Sequence, residues 1–225
     1  MPGSLDWVLL GCGVVAGPAF VATFLAAGAT RPGYDPLRHP VSSLALGPDG
    51  WVQQANFGLN GVLYLALAAG LARTHGTSVP PRVGPMLVGV AGLGQITAGL
   101  FTTDPVSGYP PGTPPAPQGY SGAAAMIHDV AAVPVFLGIP VAAAAWARAF
   151  TRYRRHRWAR YSVATAATML TGFVLTSAAF AQAPALASIG GLLQRLTVTV
   201  GMGWLSALSL DALHHCTGRP GSPSS

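Results

Sequence analysis

Four stretches of this sequence place proton-transfer and metal-ligating side chains inside or beside long apolar runs: His39-Pro-Val-Ser42, Asp104-Pro, His128-Asp129 and Gln194-Arg195. An ionised group at membrane depth costs at least about 2.5 kcal/mol, so each of these must face a bundle interior and find a partner there. Pairing Arg195 with Asp129 or Asp104 is the cheapest arrangement. A carboxylate flanking His128 fixes the imidazole tautomer and raises its basicity. The set is the minimum equipment for acid–base chemistry: His128 as general base, Asp104 as orienting carboxylate, and Arg195 as binder of an anionic or developing negative group. It is equally a partial ligand set for a divalent metal, with His128 and Asp104 first and His39 and Asp129 behind them. Two readings without chemistry stand beside these. The charges fasten helices to one another, or they line a path for a substrate or ion.

No HExxH, nucleophile elbow or P-loop narrows the reaction. Ser42 or Ser43 beside His39 is a weak nucleophile–base pattern in a Pro-flanked loop. Asp211-Ala-Leu-His214-His215-Cys216 collects metal-competent types near the end of the last apolar run. Histidine at a helix C-terminus is favourable electrostatically, and that reading is preferred here. Cys12 and Cys216 form no metal-type or disulfide pattern.

The elements that must position these residues follow from composition. Apolar residues make up 51% of the 225 and charged residues 8%, against roughly 25% charged in an ordinary soluble domain. Six segments reach the ~20 apolar residues that a spanning helix needs: about 6–29, 56–74, 84–103, 122–147, 161–183 and 190–213. The expectation is an all-α, polytopic integral membrane protein built as a six-transmembrane-helix bundle. Residues 1–5 precede it, 6–213 form the transmembrane domain, and 214–225 form a tail without fixed order. Ala27-Gly28-Ala29 imitates a signal-peptidase site, but the first charge is Asp6 and the apolar run is long enough to span, so the first helix is expected to be retained.

Half of the twelve arginines fall between Arg148 and Arg160. Arg73, Arg82 and Arg219 share that side, and the positive-inside rule places both termini in the cytoplasm. Trp146, Phe150, Tyr153, Trp158 and Tyr161 interleave the Arg-rich connection and read as an interfacial aromatic belt, not as a nucleic-acid surface. Gly13, Gly17, Gly89, Gly92, Gly94 and Gly99 permit close helix packing in lipid. Pro134 and Pro140 are expected to kink the fourth span. The Pro-rich third loop, with Tyr109 and Tyr120, is either a lid over a pocket or a rigid hairpin. Alanine, Gly, Pro and Arg excess with no Lys or Glu suggests a bacterial source, and hence a bacterial plasma membrane.

The elements His39-Pro-Val-Ser42-Ser-Leu44, Asn56 to Gly61, Gly99-Leu-Phe-Thr-Thr-Asp104-Pro, Ile127-His128 and Gln194-Arg195 ahead of Trp204 resemble a known family. They are similar to the six-span bacterial and archaeal membrane proteins catalogued as domain of unknown function 998, over about residues 10 to 213. The most specific element is Asp104…His128 across the third loop. Ser43 stands where many members carry Asp. The resemblance implies six helices and a membrane location, and it implies no reaction. The expected centre is His128, Asp104 and Arg195, with Ser42, His39, Asn56, Asp129, Gln194 and Tyr109 as substrate-binding residues around it. The expected function is a membrane-embedded hydrolase, isomerase or cyclase acting on a lipid-like or amphiphilic small molecule at the outer leaflet. The alternatives are a small carrier or permease and a non-catalytic accessory protein. The expected partners are the lipid bilayer and an amphiphile, and a divalent metal at His128 and Asp104 is a possible cofactor.

Overall fold

The computed structural model describes residues 3–74 and 83–217. Arg82, Arg219 and most of the 214–225 tail lie outside the described residues, while 214–217 continue the last helix. Helices α1 (Ser4–Thr30), α2 (Gly50–Arg73), α3 (Val83–Leu100), α4 (Ala123–Val133), α5 (Ile139–Arg152), α6 (His156–Phe180) and α7 (Gly190–Thr217) account for most of the chain. A 3-10 turn at Val41–Ala45 sits in the first loop, and a π turn at Pro134–Gly138 joins α4 to α5. With α4 and α5 counted as one interrupted rod, six helices are long and apolar enough to cross a membrane. Among the described residues there is no strand.

The six rods close into a ring in chain order. Helix α1 packs on α2 and α7, α2 on α3, α3 on the α4–α5 rod, α5 on α6, and α6 on α7. Each rod turns one stripe inward; on α1 the stripe is Leu10, Gly13, Gly17, Phe20 and Phe24, spaced at three and four residues as a helix face requires. The outward faces carry Val8, Val62, Met86, Val130 and Val174, all exposed, which is the coat of a protein solvated by lipid.

Glycine sets the closest contacts. A Cβ on Gly61 would lie 2.5 Å from the Gly92 carbonyl oxygen, and one on Gly94 would lie 2.3 Å from the Ala131 carbonyl oxygen. Helix α3 is thereby drawn against α2 on one side and α4 on the other, gaining the van der Waals contact that drives association in lipid.

The interruption of the fourth rod has a chemical cause. Pro134 and Pro140 bring no N–H, so the ordinary ladder loses two donors within seven residues, and the chain answers with the wider π turn. Below the turn, α5 lies close along α6; above it, α4 has no comparable packing against α6. The ring is tight on the α5 side of the turn and opened on the α4 side.

At the terminus-bearing end the core is solid. Trp146 and Trp204 meet edge to face at 5.6 Å, and both are fully buried with Met169 and Ile139. Trp146 and Phe150 therefore turn inward and are not members of an interfacial belt, whereas Tyr153 and Tyr161 remain exposed. Asp6 pairs with Arg73 at 2.6 Å, and Asp211 takes a two-pronged contact from Arg155, whose guanidinium stacks on Phe150 and Trp158. Asp211 is thus an ion-pair partner, and His215 Nδ1 bonds the Asp211 carbonyl at 2.7 Å, as the helix-end reading expects. Among the described residues no disulfide joins Cys12 and Cys216.

Substituting Gly61 with Ala is expected to cost about 1–3 kcal/mol through overpacking. Gly58→Ala on the same helix, where an added Cβ meets nothing within 4 Å, is expected to be neutral. Thermal midpoints in detergent check the contrast, which equal losses in the two variants would contradict.

Candidate functional site

Arg195 organises the end of the bundle opposite the termini. Its guanidinium is buried, 7% exposed, and is answered by backbone carbonyls instead of a carboxylate. Nη1 donates to the carbonyls of Pro36, His39 and Gly191, the last two at 3.1 and 3.0 Å, and Nη2 donates to the Tyr34 hydroxyl. The cation also lies 5.8 Å from the Phe24 ring centre and 5.5 Å from that of Tyr34, within cation–π range. The expected pairing with Asp129 or Asp104 is not formed. Carbonyl dipoles of the first loop take that place because the loop folds directly over the start of α7.

The first turn of α7 receives the loop in return. Its free N–H groups at Gly191 and Leu192 donate to the carbonyls of Arg38 and Leu37 at 3.1 and 2.9 Å, satisfying donors that a helix start leaves open. A Cβ on Gly191 would sit 2.4 Å from the His39 carbonyl oxygen, so only glycine lets the loop seat this closely. One turn further, the Gln194 side-chain oxygen accepts the Val41 N–H at 2.7 Å. The Tyr34 phenol donates to the Pro40 carbonyl at 2.8 Å, and burial pushes its pKa up to about 12, which keeps the donor proton in place.

His39 belongs to this anchor. Its Nδ1 accepts the Asp35 N–H at 2.8 Å, and its ring packs on Tyr34 and Tyr109. Tyr109 in turn stands perpendicular to Tyr34 at 5.2 Å, and this aromatic trio ties the third loop to the first. Asn56 is likewise occupied, donating to the Phe20 carbonyl at 3.1 Å and to Gln53 at 3.3 Å. His39, Asn56, Tyr109 and Arg195 therefore support the site from outside it.

The site itself is a cavity of about 500 Å³ on the opened side of the ring, well within the range of small-molecule pockets. Residues of α3, α4, the π turn, α6 and α7 form its walls, and 103–106 with 117–120 of the third loop cover it, so this loop is a lid. Asp104, His128, Asp129, Ser42 and Gln194 all reach the cavity. The sequence thus pointed to five wall residues and to four residues that hold the wall.

His128 is 3% exposed, and its Nδ1 lies 2.8 Å from the Phe101 carbonyl oxygen and 3.1 Å from that of Ala98. Two acceptors at one ring nitrogen require a proton there, so the neutral imidazole carries its lone pair on Nε2. These carbonyls are free because α3 ends at Leu100 and its last turn lacks donors. Phe57 meets the ring edge-on at 5.9 Å and limits its rotation. Asp104 bonds the Ser121 N–H at 2.8 Å and the Ser121 hydroxyl, which puts its charge at the start of α4, where the helix dipole favours it. Asp104 therefore fixes the entry of the helix that carries His128, and it forms no hydrogen bond to the imidazole. Among the described residues no three His, Cys, Asp or Glu side chains converge, so His128 and Asp104 lack the further ligands that a metal site needs.

A family model described as "Protein of unknown function (DUF998)" matches residues 14–211. The chain belongs to the DUF998 family. No curated protein and no solved structure matches it. In this DUF998 chain Ser43 is fully buried, beside Ser42 in the cavity wall.

Two wall residues escaped the sequence reading. Gln95 is 3% exposed with no partner for its Oε1, and Thr176 is 4% exposed with no partner for its Oγ1. Gln95 carried a usable signal, an amide in the middle of an apolar span, which is a functional-site indication by default. Tyr34 carried none, since its role depends on where the first loop lands.

Burial, ahead of the opposing influence of Asp35, lowers the pKa of His39 from the usual 6.5. Below pH ~6.5 the unfolded chain therefore binds a proton that the folded chain refuses, and stability falls as pH drops through that value. Thermal midpoints between pH 8 and 5 should decline more steeply for the wild type than for His39→Gln, whose side chain does not titrate; parallel declines would contradict the assignment.

Proposed function

We propose that the protein is a membrane-embedded enzyme that takes a lipid-like or amphiphilic small molecule into this cavity, with His128 Nε2 as general base. The carrying observation is the double carbonyl contact to His128 Nδ1, which orients a basic nitrogen without neutralising it. A base held in one tautomer inside a water-poor cavity needs no reorganisation when it accepts a proton. Asp104 acts as a positioning residue through α4, and Asp129 at the cavity rim contributes a second carboxylate. Arg195 is a positioning residue for the first loop, and the negative-group binder expected of it is withdrawn.

The amphiphile reading rests on the shape of the wall. Phe20, Val135, Phe136, Phe173 and Val198 offer an apolar lining, and the polar groups lie toward the lid. Separation of α4 from α6 leaves a lateral way in from lipid. The positive-inside distribution supports an orientation with the Arg-rich connection and both termini in the cytoplasm, so that the lid faces outward and the ligand comes from the outer leaflet of a bacterial plasma membrane. The packed Trp146–Trp204 half supports a site served from one side over a carrier path through the bundle.

Membranes containing matched amounts of wild type or His128→Gln should differ in lipid composition. The variant is expected to lower conversion at least about 100-fold, the ordinary worth of a general base, and so to accumulate the substrate seen by comparative lipidomics. Identical lipid profiles in wild-type, variant and protein-free membranes would overturn the enzyme reading.

A further inference from the structure

The cavity wall is one-sided in charge. Asp104 and Asp129 contribute two carboxylates, while no Arg lines the wall and the sequence contains no Lys. Three arginines belong to this end of the chain, and none reaches the cavity. Arg195 is committed to the first loop; Arg31 donates to the carbonyls of Leu44, Leu46 and Asp49; Arg38 is not a wall residue. Gln95 is 97% withdrawn from solvent, and its Oε1 has no donor in the protein. His128 spends its N–H on carbonyls and keeps an acceptor. Gln194 spends its oxygen on Val41 and retains its amide N–H groups.

From this imbalance we infer that the ligand of the cavity is an amphiphile with a cationic, donor-rich head, a primary ammonium group on an apolar body. An ammonium carries three N–H donors and no acceptor, and the carboxylates, with Gln95 and His128, offer acceptors for them. Its charge also complements the two carboxylates, where a phosphate or carboxylate head would add repulsion that no guanidinium of the wall relieves. An alcohol of the same length brings one donor and no charge. The apolar body is accommodated by Phe136, Phe173 and Val198 and by the gap between α4 and α6.

This inference rests on the cavity being the ligand site proposed above and names the class of molecule it selects. Calorimetric titration of the purified protein in a nonionic detergent at pH 7, against protein-free micelles, compares three ten-carbon probes: decylamine, decanol and decyl phosphate. Decylamine is expected to bind saturably and at least tenfold more tightly than the other two. Asp129→Asn, at an exposed position, is expected to weaken it at least fivefold, and Gln95→Leu to weaken it further. Decanol or decyl phosphate binding as tightly as decylamine would overturn the charge selection and leave the cavity standing as a ligand site. An unchanged decylamine affinity in Asp129→Asn overturns it as well, and binding by none of the probes overturns both readings.

Discussion

A guanidinium buried within a membrane bundle must be satisfied by the protein, because lipid offers it nothing. The Nη groups of Arg195 are bound chiefly by the first loop, while its Nε has no partner, and much of the site follows from that demand. The carbonyls of Pro36 and His39 are drawn onto α7, Gly191 removes the side chain that would hold them off, and the helix start donates its own N–H groups to the same segment. Once the loop is seated, Pro40, Val41 and Ser42 become cavity wall, and Tyr34 and His39 become the platform on which Tyr109 rests. The lid over the cavity is therefore held, through one aromatic trio, by a charge that never touches the ligand space.

The space beneath that lid arises from a second constraint, the loss of backbone donors at Pro134 and Pro140. A regular helix there would lie along α6 for its whole length, as α5 does. The π turn instead lets α4 part from α6 while Gly94 holds it close to α3, and the volume so released is lined by the residues just before and within the turn. Packing and opening are thus divided between the two halves of a single rod. Tryptophan fills the half where the rod is regular, and polar side chains gather in the half where it is not.

The architecture was readable because its signals are local: a span is recognised by its own composition, and Pro134 and Pro140 announce a break wherever they occur. Asp104 and His128 were readable for the same reason, as polar residues at positions where lipid does not tolerate them. Their relation was not, because it depends on the end of α3 delivering two free carbonyls to His128 and on Ser121 claiming Asp104. Arg195 shows the limit most clearly. Charge counting matched it to a carboxylate, but a loop rich in carbonyls lay nearer, and no sequence pattern reports how a loop folds back. Trp146 and Phe150 fell on the wrong side of the belt because residues at a span's end can face core as well as interface. Gln95 was visible as an amide among glycines, yet Asp and His drew the attention.

The centre of the site is an imidazole held by two backbone carbonyls in one tautomer in the wall of the cavity. Nitrogen-15 NMR of histidine-labelled protein above pH 8, with the His128 signals assigned by their loss in His128→Gln, reads that tautomer directly. The expected result is a protonated Nδ1 and an unprotonated Nε2 for His128. A proton on Nε2, with Nδ1 bare, would contradict it.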